Sequence, residues 1–183
     1  MRRLAALALG LLALALAGCG DKQAIVTEAD TEGVSVDVGK LVYQVQLSRY
    51  LNPADVEDKD YLMGLPAGTP GPKADETWFG VWMRVKNFTD QTQRPASQYT
   101  ISDTEGAEYH PIPQSRSVNP FIYEANPMPA HTVLPVPESA AANGPIQGSL
   151  ILFKLKTGSL QNRPLVLTIA QQGQDSAEVD IDL

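Results

Sequence analysis

Apolar side chains along this chain recur mostly at every second residue. Leu41, Tyr43, Val45 and Leu47 alternate with Val42, Gln44, Gln46 and Ser48, a period of two that predicts a half-buried strand. The stretch TWFGVWMRVKN, Thr77 to Asn87, predicts a central strand. Phe79, Val81, Met83 and Val85 form one apolar face, while Trp78, Gly80 and Trp82 keep the other apolar until Arg84 and Lys86 turn it polar. Ile146 to Lys156 repeats the design, with Ile151, Phe153 and Leu155 on one face and Leu150 and Leu152 on the other. Gln98 to Ile112 reads as two strands joined by the turn residues Asp103 to Gly106. Shorter alternating runs at Val34 to Val38, Leu165 to Ile169 and Val179 to Leu183 predict further strands, the last with Asp180 and Asp182 facing water. No segment sustains a period of 3.6, and no internal repeat is present. Roughly seven to nine short strands separated by Gly, Pro and Asn predict an all-β protein, an antiparallel β-sandwich.

Two stretches break the alternation. Asn52 to Glu76 carries four prolines together with Gly64, Gly68 and Gly71, and reads as a long loop with one helical turn near Val56 to Met63. Pro111 to Pro145 holds eight prolines, so it is expected to be ordered as edge and loop, because proline has no N–H to give to a sheet ladder.

The amino terminus follows a different pattern. Arg2 and Arg3 precede an unbroken apolar run from Leu4 to Ala17, which is shorter than the roughly 20 residues needed to cross a bilayer and matches an export signal. Leu16, Ala17, Gly18 and Cys19 resemble the lipobox of bacterial lipoproteins. That resemblance implies a diacylglyceryl group on the Cys19 sulfur and cleavage just before it. The expected organisation is therefore a helical signal peptide over 1–18, a lipidated amino terminus and flexible tether over 19–39, and one domain over 40–183.

Charge and cysteine usage narrow the partners. The chain of 183 residues has a net charge of −7, and losing Arg2 and Arg3 with the signal takes it to −9. A balance this acidic argues against nucleic acid and against charge-driven adhesion to anionic lipid. Membrane attachment would then rest on acyl chains, each buried methylene contributing about 0.8 kcal/mol. Cys19 is the single cysteine, so the exported domain is expected to hold its core by packing without a disulfide.

A search for chemistry finds little. His110 and His131 both sit in proline-rich surroundings, no serine lies in a Gly-x-Ser-x-Gly elbow, and two distant histidines do not make a zinc site. No catalytic residue, metal site or cofactor is therefore assigned. The nearest approach to a hard-cation site is DVEDKD, with Asp55, Glu57, Asp58 and Asp60, but it lacks the glycine and glutamate of an EF-hand loop. A solvated acidic loop is the simpler reading. GTPGPK, Gly68 to Lys73, lacks the spacing of a phosphate-binding loop. In NPFIYEANPMP, Asn119 to Pro129, the residues Phe121, Ile122, Tyr123 and Met128 form a candidate partner-binding lip. The alternative is that they fold back over the open end of the sandwich.

The succession WFGVWMRVKNFTDQTQRPASQYTISDTEGAEYHPI, then a proline-rich passage, then GPIQGSLILFKLKTGSLQNRPLVLTIA, resembles a family of bacterial extracellular lipoproteins. Their immunoglobulin-like β-sandwich is classed as a domain of unknown function. The corresponding positions are Val85, Lys86 and Asn87, then Asp103 and Gly106, Gly148 and Phe153, and Leu165 and Leu167. The resemblance covers roughly Thr77 to Ala170, implies a fold and an extracellular setting, and carries no catalytic residue.

Three functions follow as expectations. The first is a non-enzymatic lipoprotein anchored on the extracytoplasmic face of the cell membrane, periplasmic if the cell has an outer membrane, that binds an envelope protein or small ligand or organises the envelope. The second is a solute- or calcium-type metal-binding lipoprotein using the 52–76 loop. The third is an envelope hydrolase.

Overall fold

The computed structural model describes residues 24–181. The export signal, Cys19, Asp182 and Leu183 lie outside the described residues. In chain order the elements are β1 (Glu28–Ala29), β2 (Ser35–Val38), β3 (Leu41–Leu51), α1 (Val56–Tyr61), β4 (Glu76–Lys86), β5 (Gln98–Ser102), β6 (Glu108–Tyr109), β7 (Val133–Leu134), α2 (Ala140–Asn143), β8 (Ser149–Lys156), a 3₁₀ turn (Thr157–Gln161), β9 (Leu165–Ala170) and β10 (Ala177–Ile181).

The strands form two sheets packed face to face. One runs β1-β10-β9-β5-β6 and the other β2-β3-β4, with β7 and β8 both on the far edge of β4. Among the described strands every pairing is antiparallel except β1 with β10, where Glu28 and Ala29 run alongside Glu178 and Val179 in parallel; outside the strands Ile122 also bridges to Leu150 in parallel. The fold is thus the sandwich that the alternation predicted.

The start of the domain needs correction. β1 and β2 lie inside the stretch read as a tether, and Ala29, Val36 and Val38 are buried in the core. β2 is the strand expected from the alternation at Val34 to Val38, whereas β1, among the acidic residues Glu28, Asp30 and Glu32, had no such signal.

The main core fills the space between the sheets. Phe79, Val81, Met83 and Val85 of β4 meet Ile101, Leu167, Ile169 and Val179 from the opposite sheet, all fully buried. The outer face of β4 and β8 is covered too. Trp78, Trp82, Leu150 and Leu152 pack under Tyr61 of α1, with Ile112 and Phe121 from the proline-rich passage closing over them. Tyr61 meets the Trp82 ring edge-on at 5.0 Å and the Phe121 ring at 5.1 Å. The molecule accordingly has a third layer, built from its two long loops.

Candidate functional site

Proline decides where the second sheet opens. β8 covers β4 from Glu76 to Met83 and stops at Ser149, while β7 covers only Val85 and Lys86. The outer edge of β8 is taken by the proline-rich passage: Tyr123 N–H donates to Leu150 O at 2.8 Å, Leu150 N–H to Phe121 O at 2.7 Å, and Ile112 N–H to Leu152 O at 2.7 Å. Pro120 and Pro127 on either side, like Pro135 after β7, cannot extend such ladders. Beside the break lies a groove of about 500 Å³.

Its walls are mostly apolar, with Ile122, Met128, Val133, Leu134, Val136 and Ala141 prominent and four prolines among them; Arg116 and Glu124 supply charge and His131 a polar ring. The volume falls within the range of small-molecule sites. Val136 is exposed within this wall, whereas Ile122 and Met128 are buried and face it from below.

Asn87 holds the far wall in place. This side chain is 1% exposed, and its Nδ2 donates towards Gln91 O at 2.8 Å, Met128 O at 3.1 Å and Pro129 O at 2.8 Å. Its Oδ1 accepts from Thr89 N–H at 3.0 Å and from Thr89 Oγ1 at 2.8 Å. Gln93 and Met128 exchange backbone hydrogen bonds at 2.9 and 2.8 Å beside it. The chain then turns sharply: His131 (φ 55°) and Glu138 (φ 67°) are the non-glycine residues in left-handed geometry among those described, and both bound this wall. Such conformations cost of order 1 kcal/mol each and persist where surrounding contacts enforce them.

A second depression, about 330 Å³, shares Val133, Pro135 and Pro137 with the groove and adds Arg84, Lys86 and Ala142. Arg84 and Lys86 alternate on the outward face of β4 and form no ion pair among the described residues. Lys86 instead lies 5.9 Å over the Phe88 ring.

Of the two readings of the candidate lip, the structure shows the one in which it folds back. Ile122 and Met128 are buried and line the groove, Tyr123 packs on the main core and Phe121 on the outer cluster, so the four side chains fasten the loop to the sandwich. Tyr123 Oη donates to Ala96 O at 2.8 Å, as does Tyr99 Oη at 3.1 Å, while Tyr43 Oη accepts from Ala96 N–H at 2.7 Å. Burial holds all three phenols above their ordinary pKa, Tyr43 up to about 12 despite its bond from Ala96. At the groove, an exposed apolar residue that the sequence reading missed is Val136, within a stretch recognised only by its prolines.

The acidic stretch becomes part of the frame. Asp55 caps α1, accepting from Glu57 N–H at 2.9 Å. Asp58 is buried against Arg49, with contacts of 2.5 and 3.2 Å, and also accepts from Asn52 N–H at 2.7 Å. Burial opposes its ionisation, but the hydrogen bonds from Arg49 and Asn52 and the guanidinium charge outweigh it and hold the carboxyl below its ordinary range. Glu57 and Asp60 are exposed. No group of three or more His, Cys, Asp or Glu among the described residues is placed to hold a metal ion. His131 Nε2 lies 2.8 Å from Asp90 Oδ1 in an exposed pair, and His110 touches only Thr100 Oγ1 at 3.4 Å.

No family model and no curated protein sequence matches this chain. Among solved structures it is similar to the yjhA protein from Bacillus subtilis, at 10% identity and a TM-score of 0.55, over 84% of this chain and 99% of that one. It is also similar to an uncharacterized β-sandwich protein from Clostridium difficile, at 11% identity and a TM-score of 0.49, over 90% and 100% of the two chains. At such identities the likeness concerns the fold alone.

Proposed function

We propose that this chain is an exported lipoprotein, acylated at Cys19, whose sandwich is a non-enzymatic binding module with the proline-walled groove as its binding site. The observation that carries the binding reading is the groove itself: a concave apolar surface beside a broken sheet edge, fixed by a buried asparagine and two left-handed residues. Preorganisation of this kind reduces the ordering that a ligand must otherwise cause. The lipobox residues Leu16 to Cys19 support the anchor. The cation-binding alternative has two of its four candidate carboxylates already engaged, Asp58 by Arg49 and Asp55 by the N–H of Glu57.

Two measurements test the reading. Mass spectrometry of the amino-terminal peptide from membrane-extracted protein should find a diacylglyceryl group on Cys19; an unmodified or uncleaved amino terminus refutes the anchor. For the groove, anilinonaphthalene sulfonate should bind the native mature chain saturably, and Val136→Arg should abolish that binding without lowering the melting temperature. Binding unchanged in Val136→Arg, or absent from the native protein, refutes the site.

A further inference from the structure

The pairing registers place the amino-terminal end of the described chain at one end of the sandwich. Asp37 pairs with Val42, Val42 with Lys86 and Lys86 with Val133, a single row across the sheet. Val26 joins that row: its carbonyl accepts from Asp37 N–H at 2.6 Å, and its own N–H donates to Asp37 Oδ2 at 2.9 Å. From Val26 the chain runs away from this end, reaching the level of Val45 at Gly33, whose N–H donates to Val45 O at 2.8 Å. Val26, and with it the start of the described chain at Ala24 and Ile25, therefore lies at the end that also bears the Gly39–Lys40 turn, the 87–94 loop and the turn at Gln171 to Gln174. The shared depression lined by Gly39, Lys40, Gln93, Arg94, Gln171 and Gln174 shows that these turns are neighbours.

At this end Phe88 is 66% exposed and Ile25 is 78% exposed, with Val26 beside it. Phe88 is not loosely held. It directly follows Asn87, whose five hydrogen-bond contacts fix the turn, and its ring lies against Lys86. An exposed phenylalanine with a lysine beside it suits shallow insertion, the ring towards the acyl chains and the ammonium among the headgroups. Lys40 and Arg94 are exposed nearby, as is Asp90, which pairs with His131. With so mixed a charge pattern, apolar contact rather than charge would set the orientation.

We infer that Phe88 and Ile25 form a membrane-contacting end, which rests the sandwich on the bilayer that holds its anchor. This rests on the acylation of Cys19 proposed above. Four residues lie between Cys19 and Ala24, so the Cys19 Cα lies at most about 18 Å from that of Ala24. β3 spans 11 residues, about 36 Å, and carries Tyr50, also exposed, at its opposite end. So short a tether brings the Phe88 end to the bilayer and holds Tyr50 away from it. The groove wall at Val133 shares the row with Lys86, so the groove would lie beside the membrane surface.

Because Cys19 is the single thiol, the orientation can be measured whether or not the cell acylates it. The mature chain, residues 19–183, is coupled through Cys19 to a maleimide lipid in phosphatidylcholine vesicles containing shallow brominated lipid. Phe88→Trp and Tyr50→Trp are compared with the parent, in which Trp78 and Trp82 are buried and supply a constant background. The expected result is a blue shift and loss of most added emission for Phe88→Trp, with Tyr50→Trp unchanged. Equal quenching at the two positions, stronger quenching at position 50, or none at either overturns the inference. A missing lipid on Cys19 in the peptide mass instead overturns the anchor reading.

Discussion

Substituting Asn87 tests whether one amide organises both the groove wall and the Phe88 turn. Asn87→Ala deletes five contacts but strands few groups. Met128 O still accepts from Gln93 N–H, Pro129 O from Thr132 Oγ1 at 2.7 Å, and Gln91 O from Thr89 Oγ1 at 3.0 Å. Thr89 N–H alone loses its side-chain acceptor. Two net hydrogen bonds at about 1 kcal/mol each, plus one weakened donor at about 1 kcal/mol, give about 3 kcal/mol. In a domain of this size that lowers the melting temperature by about 6–12 °C. Asn87→Asp is the sharper variant, because it keeps the shape and turns the donor into a second oxygen facing three carbonyl oxygens in a site closed to water.

A carboxylate held there must have its folded-state pKa raised above the unfolded value, since both burial and the carbonyls disfavour its charge. The sign follows: the penalty is fully present above the raised folded pKa and disappears as pH falls below the unfolded one. Calorimetric melts of Asn87→Asp against the parent should therefore show a larger gap than Asn87→Ala at pH 7 and a narrowing gap towards pH 4. Groove binding of anilinonaphthalene sulfonate should fall in parallel. Melting within about 2 °C of the parent at pH 7, or a gap that widens on acidification, refutes the assigned role.

Asp58→Ala should cost about 2 kcal/mol, below the usual figure for a broken buried pair because Arg49 is a third exposed. Since the Asp58 pKa is lowered by folding, its contribution is complete above the ordinary aspartate range and fades as pH falls through the lowered value, so parent and variant melts should converge in acid. Tyr43→Phe should cost about 1–3 kcal/mol by leaving the buried Ala96 N–H unpaired, whereas Tyr99→Phe leaves Ala96 O with Tyr123 and should cost less; equal losses in denaturant titrations count against this. Gly148→Ala should destabilise by about 1–3 kcal/mol, because its Cβ would stand 2.8 Å from Trp82 Cβ and 3.0 Å from the Trp82 backbone; an unchanged melt shows that the strand can shift.

The sheets were legible because their signal is local. The faces assigned to β4 and β8 from alternation alone are the faces observed, down to the division of Leu150 and Leu152 from Ile151, Phe153 and Leu155 between the two clusters. Two residues singled out in the sequence also acquire reasons: Asn87 as the hub of a loop, Gly148 as a point of close approach to Trp82. The third layer was not legible, because its contacts are distant in sequence. Asn119, fully buried, donates to Tyr61 O across 58 positions, and Gln114 reaches the same carbonyl across 53. No periodicity records such a pairing. For the lip residues the sequence left exposure and folding back both open, because burial there is set by what the loop lies upon.

Proline nevertheless explains where the groove is. A strand continuing from β8 would cover β4 along its whole length and leave no concavity. Instead β8 ends at Ser149, where Gly148 crosses Trp82, and its role passes to a two-residue β7 followed at once by Pro135. With the ladder interrupted, the wall must be held by side chains, which is the work of Asn87, the Gln93–Met128 bridge and the tyrosines around Ala96. Filling the gap with ladder hydrogen bonds would stabilise the sheet and close the groove. The buried amide that fixes the groove also presents Phe88 at the end where the described chain starts, so a single substitution at Asn87 should disturb ligand binding and membrane orientation together.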